Sequence, residues 1–415
     1  MGDMRNWAGN LSYSAQRIHR PRTIDEVREV VASATKVRAL GTRHSFNDIA
    51  DTDGDLVSTE NLSDVLELDA DKRTAKVGAG ITYGQLCRRL GREGLAIHNL
   101  ASLPHISVAG ACATATHGSG DRNGNLSTAV EALDLVKADG SLVELRRGRD
   151  QEFPGSVVSL GALGVVTALT LTVVPKFEVS QELFENLPLE ALRDDFDAVT
   201  SSAYSVSLFT DWRRSGFNQV WLKHRGAATG QPTFYCATAA RGPLHPISTM
   251  SPENCTQQMG IPGPFDERLP HFRLEFTPSA GDELQTEYLV PRRHAFAALS
   301  EVDRMRDRIA PLLQISEIRT MAADELWMSP SYGEDCVGIH FTWQPDWNKV
   351  REVLPEIEDR FAPFEARPHW GKLFAMKADR LAPLYSRRRD FLELARRFDP
   401  DGKFWNRFLE ERLGG

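Results

Sequence analysis

The dipeptide Asp139-Gly140 lies between two short runs of strand-forming residues, 132–136 and 141–145. Asp-Gly supplies the positive φ that a tight hairpin turn requires, so the flanking runs are expected to pair antiparallel. The first 175 residues otherwise alternate helical and strand signals, a pattern compatible with a doubly wound parallel sheet. A hairpin in their midst implies an α+β fold instead.

The neighbouring signals fit that class. Thr23-Ile24-Asp25-Glu26 is a capping box, in which Thr23 accepts from the amide near Glu26 and Glu26 reaches back; Ile24, Val27, Val30 and Val31 follow at helical spacing. Residues 37–40 read as a strand ending at Gly41, and residues 73–77 as another. A second helix opens at Thr82, with Gln85 three residues on, and closes at Gly94. Residues 164–174, rich in Val, Leu and Thr and stopped by Pro175, read as a buried strand.

After Pro175 the texture changes. Aromatic-rich strands at 205–212, 219–223, 272–276 and 337–343 alternate with turn-rich segments around Gly226 and Pro262-Gly263-Pro264. Helical patterns lie at 294–312 and 348–361, and the chain is helical from about Leu381 to its close at Asp399-Pro400-Asp401-Gly402-Lys403-Phe404. With 415 residues the chain is long enough for two domains, the second α+β with a sizeable antiparallel sheet.

Composition excludes several function classes. A formal charge of −8 leaves no electrostatic footprint for nucleic acid or an anionic membrane, and the run Arg387, Arg388, Arg389 reads as a solvated helix face. No stretch approaches a membrane span, and residues 1–16 lack the basic-then-apolar layout of a signal peptide. Five scattered cysteines without a CxxC pair read as reduced packing residues. A cytoplasmic monomer is expected. The 11 histidines show no HExxH or Cys/His ligand spacing, so no metal is expected.

Three glycine-bearing loops fall in the first half: Gly41-Thr42-Arg43-His44-Ser45, residues 110–120, and Gly161-Ala162-Leu163-Gly164. None is a GxGxxG opening a helix, because Gly118-Ser119-Gly120 is followed by Asp121-Arg122-Asn123, and there is no P-loop. Small residues crowd 108–120, which lets backbone amides approach an anionic pyrophosphate or, equally, lets a tight turn pack against a neighbour.

Several blocks carry a family resemblance: Gly41-Thr42-Arg43-His44-Ser45-Phe46-Asn47, Ser102-Leu103-Pro104-His105-Ile106-Ser107-Val108-Ala109-Gly110 and Thr116-His117-Gly118-Ser119-Gly120. Residues 159–167, Phe209-Thr210-Asp211-Trp212-Arg213, Pro368-His369-Trp370-Gly371-Lys372 and Asp399-Pro400 with Phe404 and Asn406 extend it nearly end to end. Together they resemble the bacterial alditol oxidases, flavoproteins of the vanillyl-alcohol-oxidase (VAO/PCMH) type. The resemblance implies an FAD-binding domain from residues 1–176 plus a returning segment 376–415, with a substrate (cap) domain at 177–375. It implies FAD joined covalently through the ring of His44, whereas a loop histidine taken alone is usually a surface or hydrogen-bonding group. Cofactor contacts implied in the same way are Gly41, Thr42, Arg43, Ser45, Ser102, Ser107, Gly110, Thr114, Thr116, His117, Gly118, Ser119, Gly161, Gly164, Val166 and Lys372.

Strand periodicity gives a separate clue. Residues two apart on a strand share a face, so Glu317 with Arg319, His340 with Thr342, and Gln285 with Glu287 each present a polar pair. A solvent-open sheet face with ordinary ion pairs would look the same. A neutral polyol needs many donors and acceptors, and the resemblance places substrate contacts on Ser102, Gln285, Glu317, Arg319, His340, Thr342 and Lys372. Glu317, Arg319 and Lys372 are the catalytic candidates, the two cations stabilising developing alkoxide charge. The proton acceptor stays open among a lysine of lowered pKa, His340 and water.

The implied reaction is oxidation of the terminal hydroxyl of an alditol such as xylitol or sorbitol to the aldose, with hydride passing to FAD and O2 becoming hydrogen peroxide. Asp121, where the family has valine, is expected to alter the pocket edge, and Ala101 to govern oxygen's approach. The alternatives are an aldonolactone oxidase or dehydrogenase of the same fold, and a flavin carrier or sensor without turnover.

Overall fold

The computed structural model describes residues 4–276 and 283–414. A small parallel sheet sets Asp55–Ser58 between Arg17–His19 and Val37–Leu40. Beside it a five-stranded antiparallel sheet runs in the order Val65–Asp69, Thr74–Gly78, Val165–Thr172, Val130–Val136, Leu142–Arg146. The Asp139-Gly140 hairpin closes the edge of this sheet, but not as a two-residue turn. Gly140 N donates to Lys137 O at 2.9 Å, and Gly140 alone takes a positive φ (+80°), so the loop is a four-residue turn with a glycine bulge. Asp139 favours it by accepting from Ser141 N at 2.9 Å.

Both expected helix starts form. Thr82 and Gln85 make a reciprocal capping box at Tyr83–Arg92. Thr23 caps Ile24–Ser33, although Glu26 accepts from Arg22 N at 2.6 Å rather than from the capping residue itself.

The C-terminal segment closes on the parallel sheet. Val37 N donates to Lys403 O at 3.0 Å, and Phe404 is buried among Val27, Val31, Val37 and Val57. Asp399 shapes this turn by accepting from Lys403 N (2.7 Å) and Phe404 N (2.6 Å). Arg38, itself buried, donates to Phe404 O (2.9 Å), Gly161 O (2.8 Å), Leu160 O (2.8 Å) and Ile49 O. Burial draws this guanidinium's pKa down to about 10, and its four carbonyl partners offset part of the desolvation cost.

The middle of the chain forms a ten-stranded sheet. Its six principal strands are β1 (Glu178–Leu187), β2 (Ser205–Thr210), β3 (Phe217–Arg225), β4 (Leu284–Pro291), β5 (Leu313–Met321) and β6 (Cys336–Trp343). They lie in the order β1-β3-β2-β5-β6-β4, every pair antiparallel. Helices Ala295–Arg304 and Trp347–Phe361 share a core with the apolar face through Leu299, Val302, Val350 and Leu354 against Val290, Val337, Ile339 and Phe341.

Two expected elements differ. The helical pattern at 294–312 is broken at Met305 into Ala295–Arg304 and Arg306–Ile309. Residues 272–276 are no strand: Phe272 makes one bridge to Cys255, and the backbone amides of residues 271–273 go to Ser102 and Asn254 carbonyls instead of a sheet neighbour. Among the described residues no helix is long and apolar enough to cross a membrane.

Candidate active site

The sheet register assembles the polar face. Phe209, Glu317, His340 and Glu287 form one row across β2, β5, β6 and β4; Ser207, Arg319 and Gly338 form the next. Gln285 pairs with Thr342 in a third. Adjacent rows lie two residues apart along each strand, so all these side chains emerge on one side, while Ile318, Ile339 and Phe341 enter the core on the other. Gly338 is required here. A Cβ at that position would stand 2.9 Å from Glu287 Oε1 and 3.4 Å from His117 Cε1, so any side chain would displace the carboxylate.

Glu287 is the centre of the arrangement. Only 1% exposed, it meets Arg319 Nη2 at 3.0 Å, Lys372 Nζ at 3.1 Å, His117 Nε2 at 3.1 Å and His340 Nδ1 at 3.4 Å. Burial alone would raise its pKa, but its neighbours, Lys372 first and then His117 and Arg319, hold it well below the usual carboxylate range. Lys372 also donates to Gln285 Oε1 (2.9 Å) and His340 Nδ1 (2.8 Å), and burial lowers its pKa despite Glu287. His340, drawn down to about 4 by burial and then by Lys372, is a neutral ring; with Nδ1 accepting from Lys372, its Nε2 donates to Thr342 Oγ1 at 3.0 Å. Arg319 keeps its charge against burial because Glu317 and Glu287 flank it, and its Nη1 lies 3.4 Å from Ser102 Oγ.

Arg319 Nε is buried without a hydrogen bond, 3.5 Å from Glu317 Oε2. His117, Glu287 and His369 bring three ligand-type atoms within 4.8 Å of one another, a cluster that sequence spacing did not show. Glu287 is already neutralised there by two cations, which disfavours a divalent ion.

A cavity of about 900 Å³ runs from this face to the glycine loops. Gly41 and Gly110 abut Ser107, whose Oγ would lie 2.5 and 2.8 Å from a Cβ added at either glycine. His44 enters from the loop after Arg43, which holds φ at +64°. Trp7 stacks on its ring at 5.3 Å, and Thr42 Oγ1 lies 3.1 Å from its Nδ1. Burial, with His105 and Arg43 adding to it, lowers the pKa of His44 to about 4, so the imidazole is neutral and carries a lone pair. Asn47 ties this loop to the segment that carries Lys372 by donating to Trp370 O (2.8 Å) and Lys372 O (2.6 Å).

The cavity is bounded by Gly41, Thr42, Arg43, His44, Ser45, Ser107, Gly110, Thr114, Thr116, His117, Gly161, Gly164 and Val166 on one side. Ser102, Gln285, Glu317, Arg319, His340, Thr342 and Lys372 bound it on the other. An elongated dinucleotide with a small substrate fits such walls, since backbone and hydroxyl groups from three separate loops line the first part and charged side chains the second.

Gly118 and Ser119 lie behind the wall: Ser119 Oγ donates to Val206 O, and a Cβ on Gly118 would meet Leu100 O at 2.4 Å. Asp121 does not form the pocket edge. It pairs with Arg292 Nη2 at 2.6 Å and with Thr200. Ala101 does line the cavity. Sequence reasoning gave no role to Glu287 beyond its pairing with Gln285, and missed His271, 2.7 Å from Glu317 Oε1. The i, i+2 spacing on β4 was the available signal for the first; the second sits on an irregular loop that leaves none.

The fold and this site define an FAD-binding oxidoreductase of the vanillyl-alcohol-oxidase type. Residues 15–146 match the family described as FAD binding domain, and residues 282–412 the family described as D-arabinono-1,4-lactone oxidase. The chain is 53% identical over 415 residues to alditol oxidase of Streptomyces, covering 99% of each, and belongs to that family. It is 31% identical over 436 residues to L-gulono-1,4-lactone dehydrogenase of Mycobacterium tuberculosis, covering 99% of this chain and 98% of that one. The structure of cholesterol oxidase from B. sterolicum superposes with a TM-score of 0.80 at 15% identity, covering 99% of this chain and 96% of that one, and so shares the fold.

Proposed function

We propose that the chain oxidises the terminal hydroxyl of open-chain alditols, xylitol and sorbitol among them, to the aldose while reducing O2 to hydrogen peroxide. The carrying observation is the buried polar face on β4, β5 and β6 with Lys372 beside it: several charged and hydrogen-bonding groups converge where a core would place apolar side chains. An uncharged substrate with a hydroxyl on every carbon satisfies such a surface. The 53% identity to alditol oxidase supports this reading more strongly than the 31% identity to a lactone dehydrogenase supports a lactone substrate.

FAD, when bound, supplies the hydride acceptor and the route of the electron pair to O2. His44, neutral and fixed by Trp7 and Thr42, is the residue positioned to hold it covalently. Gly41, Ser107, Gly110, Thr114 and Thr116, which line the cavity, would offer it backbone and hydroxyl groups. The division into 1–176 with 376–415 for cofactor, and 177–375 for substrate, is part of this reading; the contacts of Lys403 and Phe404 with the first sheet support it.

Arg319 and Lys372 donate to the reacting oxygen as alkoxide charge develops, an electrostatic effect of roughly 10²- to 10³-fold per donor. Both are held in place by Glu287, and Lys372 also by Gln285 and His340. Glu317, ionised between His271 and Arg319, accepts from the hydroxyls next to the reacting one. In balance, the substrate's carbinol hydrogen and hydroxyl proton leave with two electrons and appear in hydrogen peroxide. The free thiols, four of five buried, suit the reducing cytoplasm; a monomer belongs to the same reading.

The test is anaerobic addition of xylitol, sorbitol and an aldonolactone, each separately, to the yellow protein, followed by air. Bleaching by the polyols and recolouring with peroxide is expected. Bleaching by the lactone alone would transfer the chain to lactone oxidation, and no bleaching by any of them would refute the substrate class.

A further inference from the structure

The polar chemistry continues past Glu317 to a histidine and a second buried lysine. His271 Nε2 lies 2.7 Å from Glu317 Oε1, and His271 Nδ1 lies 3.1 Å from Lys223 Nζ on β3. Lys223 is 1% exposed, and among the described residues no carboxylate lies within ion-pairing distance of it. Its ammonium instead faces three acceptors: His271 Nδ1, Leu269 O and Pro270 O, the last at 3.5 Å. The His271 ring is walled by the edges of Trp221 (5.3 Å) and Phe209 (5.5 Å), and its backbone N donates to Ser102 O at 3.1 Å.

This geometry gives the chain a direction. A protonated Lys223 donates to Nδ1, so the neutral ring carries its hydrogen on Nε2 and donates it to Glu317 Oε1. That leaves Glu317 Oε2, 3.5 Å from Arg319 Nε, on a residue that lines the cavity. We propose that Lys223 and His271 are positioning residues of the polyol site, a buried relay in which protonation of Lys223 sets the His271 tautomer and thereby holds Glu317 ready to accept hydroxyls. The proposal rests on the polyol reading above.

The groups facing Lys223 are Glu317 and Arg319 of β5, with Cys255 and His271 of the loop that covers β3. Burial brings the Lys223 pKa down to about 7, Glu317 and Cys255 opposing and Arg319 assisting. Burial and Lys223 keep His271 at about 4, so the ring is neutral throughout the useful range. Once Lys223 loses its proton it keeps two N–H groups for its three acceptors, and its hydrogen bond to Nδ1 is no longer charge-assisted. The tautomer with hydrogen on Nδ1 is then no longer excluded, and the hold of Nε2–H on Glu317 weakens.

The experiment is steady-state oxidation of sorbitol from pH 6 to 8.5 by the flavin-loaded enzyme and by Lys223→Met and His271→Gln. In the wild type KM should rise about tenfold across this range, the worth of one charge-assisted hydrogen bond, with kcat nearly constant. Lys223→Met should show the raised KM already at pH 6 and no further pH dependence. His271→Gln, which keeps an N–H donor for Glu317, should recover part of the affinity without the alkaline limb. A wild-type KM that is flat with pH while sorbitol turns over overturns the relay alone, without need of any variant. A Lys223→Met enzyme that keeps the wild-type profile does the same. Failure of every polyol to react overturns the polyol reading, and the relay's role with it.

Discussion

Replacing Glu287 by Gln should be the most damaging isosteric change in the site. The carboxylate is 1% exposed and stands within 3.1 Å of Arg319, Lys372 and His117. The amide keeps the shape but removes the charge, and one of its two ends becomes a donor that faces another donor. Breaking a buried ion pair by deleting one partner costs about 3–5 kcal/mol, because the remaining charge is left uncompensated in a poor solvent. Here two cations lose their common anion. The folded state has one escape: Lys372, whose pKa burial already lowers, gives up its proton more readily once Glu287 no longer raises it. The variant therefore trades part of the stability loss for the loss of a donor to the reacting oxygen, roughly 10²- to 10³-fold in rate. Stopped-flow reduction of the flavin by xylitol would read the rate, and thermal melting the stability. A variant that reduces within about threefold of the wild type and melts at the same temperature would show that Glu287 neither compensates nor positions the two cations.

His44→Ala should abolish flavin that stays with the denatured protein, read as fluorescence of the unfolded band on a gel; retained fluorescence would move the attachment elsewhere. Asp324, buried beside Ser329 and Asn125, has its pKa raised to about 6, with desolvation the largest cause. A raised folded-state value means that its contribution is fully present below the unfolded value near 3.8 and lost as pH rises through about 6, on the order of 3 kcal/mol. Asp324→Asn should flatten the melting temperature between pH 4 and 7, and a profile identical to the wild type would refute this.

Local signals were legible where the backbone follows its own chemistry. Thr82 with Gln85 and the valines of Ile24–Ser33 specify their helices without help from distant residues. The polar pairs on β4, β5 and β6 were legible too, because a two-residue period fixes a shared face in any sheet. What period cannot fix is which strands are neighbours. The row that sets Glu317 beside His340 and Glu287 depends on β5 and β6 lying between β2 and β4, an order no run of residues encodes. The loss of a strand at 272–276 arises the same way, since the carbonyls of Ser102 and Asn254 claim backbone amides that local propensity would have used. His271 was invisible for a further reason. A histidine on a loop says nothing until Lys223, 48 residues earlier, is seen on its other side.

Arg38 binds carbonyls at Ile49, Leu160, Gly161 and Phe404, and so draws on chain from nearly the first residues to nearly the last. During synthesis a ribosome releases residue 38 long before residue 404. Until the end arrives, this guanidinium lacks one of its carbonyls, and the valines around Phe404 lie open. The small parallel sheet is thus left unfinished while the ten-stranded sheet, contiguous in sequence, has all its strands. A protein built in this way completes the packing of its first strands only when the segment around Phe404 has emerged.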